Sequence, residues 1–77
     1  MTDYKQMPEP VKQRTGCKVG WHYYATLEEA TAASEIAAHN RELQLNRGYD
    51  FGYCWPGSID GPMEEGEYQG LYEVCTP

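Results

Sequence analysis

The sequence predicts a small α+β domain in which one long helix covers one face of a three-stranded sheet. The run from Ala30 to Asn46 is rich in alanine, leucine and glutamate, which favour helix. On either side of this run, aromatic and β-branched residues alternate with polar ones, a period of two that indicates strands. The predicted order of elements is therefore β-α-β-β.

The predicted helix has boundary signals at both ends. Thr26 and Glu29 match a capping box, in which the threonine hydroxyl accepts from the glutamate amide. Gly48 suits the left-handed position that commonly follows a helix. Alanines share one side of the helical wheel, so we expect that side to lie close against the sheet. Asn40 and Arg41 interrupt this apolar side, and the C-terminal half is expected to project past the sheet.

Three segments have the strand pattern: residues 17–25, 49–56 and 68–75. In the first segment we expect the odd-numbered residues, including Trp21 and Tyr23, to face the core. The second segment has an aromatic residue at every other position. These four residues are Tyr49, Phe51, Tyr53 and Trp55. We expect the last two strands to pair as an antiparallel hairpin across an acidic loop, with the last strand central, which gives the order 2-3-1.

The chain is predicted to hold one domain, residues 16–77, preceded by a flexible arm, residues 1–15. A chain of 77 residues is too short for two independent cores. Pro8 and Pro10 disfavour helix in the arm, and few of its residues are apolar.

Charge is distributed unevenly along the chain, whose formal net charge is −6. Residues 48–77 hold six acidic residues and no lysine or arginine. This part of the surface would repel nucleic-acid phosphates and attract a basic protein surface. The basic residues concentrate near the N-terminus and support an alternative, a nucleic-acid-associated module that uses this segment. They are Lys5, Lys12, Arg14 and Lys18.

Composition also bears on the compartment. Apolar runs are far shorter than the ~20 residues that a membrane-spanning helix needs, and Met1–Lys5 lacks the apolar core of a secretory signal. An odd number of cysteines, three, is more typical of a reducing compartment than of a disulfide framework. We therefore expect a cytoplasmic protein without membrane contact.

No residue pattern indicates a catalytic, metal or cofactor site. Cys17, Cys54 and Cys75, with His22 or His39, have the ligand types for zinc but lack the close cysteine spacing of zinc motifs. Cys54 and Cys75 also lie in the acidic part of the chain, where a reactive thiolate is disfavoured. We therefore predict three packed thiols, no metal, no cofactor and no enzymatic activity. A metal- or thiol-dependent enzyme is the least favoured alternative.

Ten aromatic rings are more than one alanine-lined helix can bury, so some must remain exposed as binding anchors. A protein partner is favoured over stacked bases, because the C-terminal acidic part offers no basic rim for phosphates. We predict a binding site with aromatic anchors and a set of acidic residues. Its residues are Tyr53, Trp55, Asp60, Glu64, Glu65 and Glu67. The uncovered sheet face and its edges would also allow a homodimer.

In size and charge alone, the chain resembles the small acidic accessory proteins of phages and mobile elements, many of which antagonise a host protein. The resemblance implies an inhibitor or antagonist that acts by occupying a partner's surface.

Overall fold

A computed structural model describes residues 3–77, in which one helix packs against a four-stranded antiparallel sheet. The elements are β1 (Lys12–Thr15), β2 (Gly20–Tyr24), α1 (Leu27–Asn46), β3 (Ile59–Asp60) and β4 (Tyr72–Thr76). The order across the sheet is β1-β2-β4-β3. The α+β class and the helix-on-sheet arrangement are confirmed, whereas the prediction of three strands is wrong.

Helix α1 has the predicted boundaries and the predicted buried side. The Thr26 hydroxyl accepts from the Glu29 amide at 3.1 Å and donates to the Glu29 carboxylate at 3.0 Å. Three alanines are fully buried against Tyr24 and Val74. They are Ala30, Ala33 and Ala37. Among residues 3–77, no helix combines the length and apolarity needed to cross a membrane.

In β2 the odd-numbered Tyr23 is buried as predicted, but the helix covers the even-numbered residues instead of the odd-numbered ones. His22 pairs with Val74 and Tyr24 with Tyr72, and residues directly opposite each other share a face. Since Tyr24 and Val74 pack against α1, the even-numbered residues of β2 face the helix. Trp21 and Tyr23 therefore lie on the opposite face. The alternating pattern places the odd- and even-numbered residues of β2 on different faces. Because large rings occur in both groups, the pattern does not reveal which face the helix covers.

Residues 49–56 do not form the predicted strand. The Asp50 carboxylate accepts from the Gly52 amide at 2.8 Å, and Gly52 has a φ of 66°. This Asx-type turn reverses the chain, because glycine tolerates the left-handed region without steric cost. Phe51 is consequently buried, whereas Tyr53 is exposed. The strand after α1 is instead the two-residue β3, and the last strand, β4, is central as predicted but begins at Tyr72 rather than residue 68.

The edge strand β1 was missed by the sequence analysis, which assigned its residues to the arm. Every residue of β1 is exposed, so no buried set produces an alternating apolar pattern. Strand β1 is held in place by backbone pairing with β2, in which Lys12 lies opposite Tyr23 and Thr15 opposite Gly20. The two N-terminal residues of the predicted arm, Met1 and Thr2, lie outside the described residues.

The segment before β1 is held against the domain by hydrogen bonds to buried side chains. Asn40 accepts from the Lys5 amide and donates to the Lys5 carbonyl, both at 2.9 Å. The Tyr24 hydroxyl donates to the Pro8 carbonyl at 2.8 Å, and burial raises the pKa of Tyr24 to about 12, which keeps it a donor at neutral pH. Met7 packs beside the alanine side of α1. Asn40, the residue that interrupts the apolar side of α1, therefore attaches the N-terminal segment to the helix.

We predict that Asn40→Ala lowers the free energy of unfolding by about 1–3 kcal/mol, because two hydrogen bonds to Lys5 are lost at a buried site. Asn46→Ala is the matched control, since Asn46 is exposed near the end of the same helix. Asn46 is the last residue of α1 and gains less helix propensity than Asn40, so the difference between the variants is a lower limit for the two hydrogen bonds. Urea denaturation measures both variants, and equal midpoints would show that the two Asn40–Lys5 hydrogen bonds contribute nothing to stability.

Candidate functional site

The outer face, which we define as the sheet face opposite α1, carries a gradient of charge across the strands. Its members follow from the register of the four strands. They are Lys12, Arg14, Trp21, Tyr23, Glu73, Cys75 and Asp60. Basic residues lie on β1, aromatic residues on β2 and acidic residues on β4 and β3. A partner that docks here therefore meets a basic side, an aromatic centre and an acidic side.

A hydrogen-bonded network links the basic and acidic sides of the outer face. The Tyr23 hydroxyl donates to Glu73 at 2.6 Å and accepts from Arg14 Nε at 3.3 Å. Arg14 Nη2 lies 3.6 Å from the same Glu73 oxygen. Burial raises the pKa of Tyr23, and the bond to Glu73 adds to this shift, so the hydroxyl remains a donor. The Arg14 guanidinium lies over the Trp21 ring, 4.1 Å from its centroid.

Two loops cover the ends of the outer face. Tyr68, from the loop between β3 and β4, stacks on Tyr23 with ring centroids 3.9 Å apart. Phe51, from the loop after α1, is buried with Val19 and Cys75. The expectation of a fully open sheet face is therefore wrong, and the uncovered area is the middle, around Trp21.

The predicted aromatic anchors border this uncovered area. The Tyr53 side chain is fully exposed, at 107%, and Trp55 is 52% exposed. The Arg41 guanidinium lies 4.5 Å from the Trp55 ring centroid, and its Nη1 donates to the Pro56 carbonyl at 2.8 Å. The Ser34 hydroxyl donates to the Gly57 carbonyl. These contacts attach the base of the loop to α1 while the two rings remain accessible.

Two depressions meet at Trp21, Tyr53 and Cys54. The first, which we call the acidic groove, has a volume of about 180 Å³ and includes Trp55, Asp60 and Glu73. The second, which we call the apolar groove, has a volume of about 350 Å³. Its lining includes Cys17, Val19, Trp21, Phe51, Tyr53 and Cys54. A ligand on the outer face therefore has an acidic and an apolar compartment on either side of Tyr53.

The structure brings together only some of the predicted site residues. Asp60 lines the acidic groove with Tyr53 and Trp55. The three predicted glutamates are exposed on the loop between β3 and β4, and they line neither groove. They are Glu64, Glu65 and Glu67. The sequence analysis missed Trp21 and Glu73 as groove residues, because it placed Trp21 in the helix-facing core and did not locate β3 next to Glu73.

The cysteines occupy three different environments: Cys17 is exposed, Cys54 is half-buried and Cys75 is buried. Burial raises the pKa of Cys75 to about 11. Among residues 3–77, no three potential metal ligands lie close enough to hold an ion. His22 lies on the helix side of the sheet, with its Nδ1 3.3 Å from the Tyr24 hydroxyl, whereas Cys75 lies on the outer face. The prediction that the thiols are packed holds for Cys75 but is wrong for Cys17.

Comparison of the chain with protein-family models, curated proteins and solved structures gave no match.

We predict that alkylation by iodoacetamide at about pH 8 modifies Cys17 first and Cys75 last. Cys75 combines burial with a pKa of about 11, so only about one thiol in a thousand is a thiolate at that pH. Mass spectrometry of timed, quenched samples measures the order. Unfolded protein in urea is the control and should lose the order. Equal rates for Cys17 and Cys75 in folded protein would contradict the burial of Cys75.

Proposed function

We propose that the protein is a non-enzymatic binding module that occupies the basic surface of a protein partner, with Tyr53 and Trp55 as anchors. The observation that carries this proposal is the full exposure of the Tyr53 ring beside a half-exposed Trp55. Amphipathic aromatic side chains are favoured hot spots of protein interfaces, because they bury a large area at a low entropic cost. The attachment of their loop to α1 lowers that cost further.

Charge supports a basic partner. The net charge is −6, and Asp60, Glu64, Glu65 and Glu67 are all exposed on β3 and the loop that follows it. Complementary charge accelerates association and disfavours acidic partners. An inhibitory role like that of small phage accessory proteins, and a cytoplasmic location, remain predictions from size, charge and cysteine number.

Strand charges argue against a homodimer formed by edge pairing of two β1 strands. About a two-fold axis normal to the sheet, each residue keeps its own face, and paired residues share a face. Lys12 and Arg14 lie on the same face. In any such antiparallel register that pairs these two residues, a basic side chain of one copy lies opposite a basic side chain of the other. This like-charge repulsion protects the edge.

We predict that Tyr53→Ala weakens partner binding at least about tenfold while leaving the free energy of unfolding nearly unchanged, because the ring is fully exposed. The partner is first captured with wild-type protein from cells of the source organism. Its affinity and on-rate are then measured by surface plasmon resonance. Tyr4→Ala is the control, since Tyr4 is exposed on the N-terminal segment and lines neither groove.

The on-rate of that partner should also fall as salt increases from about 50 to about 500 mM, since screening weakens steering. Unchanged affinity of the Tyr53 variant, or an on-rate independent of salt, would refute this mode of binding.

A second candidate, a nucleic-acid-associated module, is supported by the position of the basic residues. Lys12 and Arg14 lie on the same face as Trp21, and Lys18 lies beside the loop at Gly52. Basic side chains beside an accessible ring are the usual combination for single-stranded nucleic acid, and Trp21 is half-buried. Arg14 is already paired with Glu73, which lowers the charge available to phosphates.

If this second function holds, the protein should bind single-stranded RNA or DNA oligonucleotides at low salt in fluorescence anisotropy. Combined Lys12→Gln and Lys18→Gln changes should weaken that binding several-fold, because each removes a phosphate contact. Arg47→Gln is the control, since Arg47 is exposed at the end of α1 and is not one of the basic residues near the N-terminus. Absence of binding by wild-type protein at about 20 mM salt would eliminate this candidate.

A further inference from the structure

The geometry points to the acidic groove as a binding site for one arginine or lysine side chain of the partner. This inference rests on the proposed function and specifies which group of the partner the protein recognises. Its basis is the combination of three aromatic rings with two carboxylates around one small depression. The rings belong to Trp21, Tyr53 and Trp55, and the carboxylates to Asp60 and Glu73.

Two of the three rings already stack with arginine guanidinium groups of the protein itself. The guanidinium of Arg14 lies 4.1 Å from the Trp21 centroid, and that of Arg41 lies 4.5 Å from the Trp55 centroid. Tryptophan is the strongest cation–π acceptor among the side chains. Among residues 3–77, no lysine or arginine lines the acidic groove. The groove therefore has aromatic walls that suit a cation and no cation among its lining residues, while Arg14 and Arg41 each stack on one of its rings.

The two carboxylates of the groove differ in how far they are engaged. Glu73 is shared with Tyr23 and Arg14, at 2.6 and 3.6 Å. Asp60 is exposed and, among the described residues, forms no salt bridge. Asp60 is therefore the carboxylate available to pair with an incoming cation, while Glu73 adds to the negative potential.

The size of the acidic groove limits the ligand to a side chain. Its volume of about 180 Å³ is below the range of pockets that hold drug-sized molecules, roughly 300–1,000 Å³. A guanidinium or ammonium head with part of its stem is a fitting occupant, because such stems lie along apolar surface while the head remains polar. The apolar groove beyond Tyr53 would then receive a neighbouring apolar side chain of the same partner.

The test uses ¹⁵N-labelled full-length protein titrated with the blocked pentapeptide Gly-Gly-Arg-Gly-Gly. The indole N–H resonances of Trp21 and Trp55 report on the groove. The matched peptide carries citrulline, which is neutral and nearly the same shape as arginine. We expect the arginine peptide to bind at least about fivefold more tightly than the citrulline peptide. Lysine and trimethyllysine peptides show whether an ammonium head is accepted as well.

Asp60→Asn should weaken binding of the arginine peptide about fivefold, because it removes the free carboxylate and keeps the side-chain shape. Glu65→Gln is the control, since it removes one exposed charge outside the groove. Equal affinity for arginine and citrulline, an equal effect of the two variants, or no shift of either indole would overturn the cation site. If the captured partner still depends on Tyr53 but not on Asp60, the binding function stands and only the cation site fails.

Discussion

The structure depends on the presence of large rings on both faces of strand β2. Tyr23 and Tyr24 are consecutive, point to opposite faces and are each only 1% exposed. A sheet with such rings on both faces must be covered on both, since an exposed tyrosine pair would forfeit a large burial energy. Helix α1 covers Tyr24 with alanines, whose small size brings the helix close. The described residues 3–77 form no second helix that could cover Tyr23, so a loop covers it.

This constraint explains why the acidic loop and the loop after α1 have defined positions. Tyr68 stacks on Tyr23, and Phe51 packs on Val19 and Cys75. Each loop thus contributes one ring to the outer face and keeps its charged residues in water. Between these two rings Trp21 is covered only in part, by the Arg14 guanidinium, and stays half-buried. The accessible area of the outer face lies at this junction.

Local signals in the sequence were sufficient for α1, because its cap, its alanine side and its terminal glycine act within a few residues of one another. The same reasoning failed for residues 49–56. Their aromatic alternation imitates a strand, but the Asp50–Gly52 turn overrides it. β1 could not be predicted because its residues are all exposed and its order comes from pairing with β2. Asn40 was interpreted only as an interruption of the apolar side. Its partner, Lys5, is 35 residues away, so no local pattern indicates the contact.

Of the candidate site, Tyr53, Trp55 and Asp60 were predicted from composition, whereas their arrangement was not. Trp21 and Glu73 join them only through the β2–β4 and β3–β4 registers. The surplus of rings was correctly expected to leave aromatic surface exposed, but for a different reason. Tyr53 is exposed while Phe51 is buried because the turn at Asp50–Gly52 breaks the alternation that would have placed both rings on one strand face. The same turn therefore completes the core on one side of Gly52 and presents the anchor on the other, which couples the stability of this loop to the binding surface.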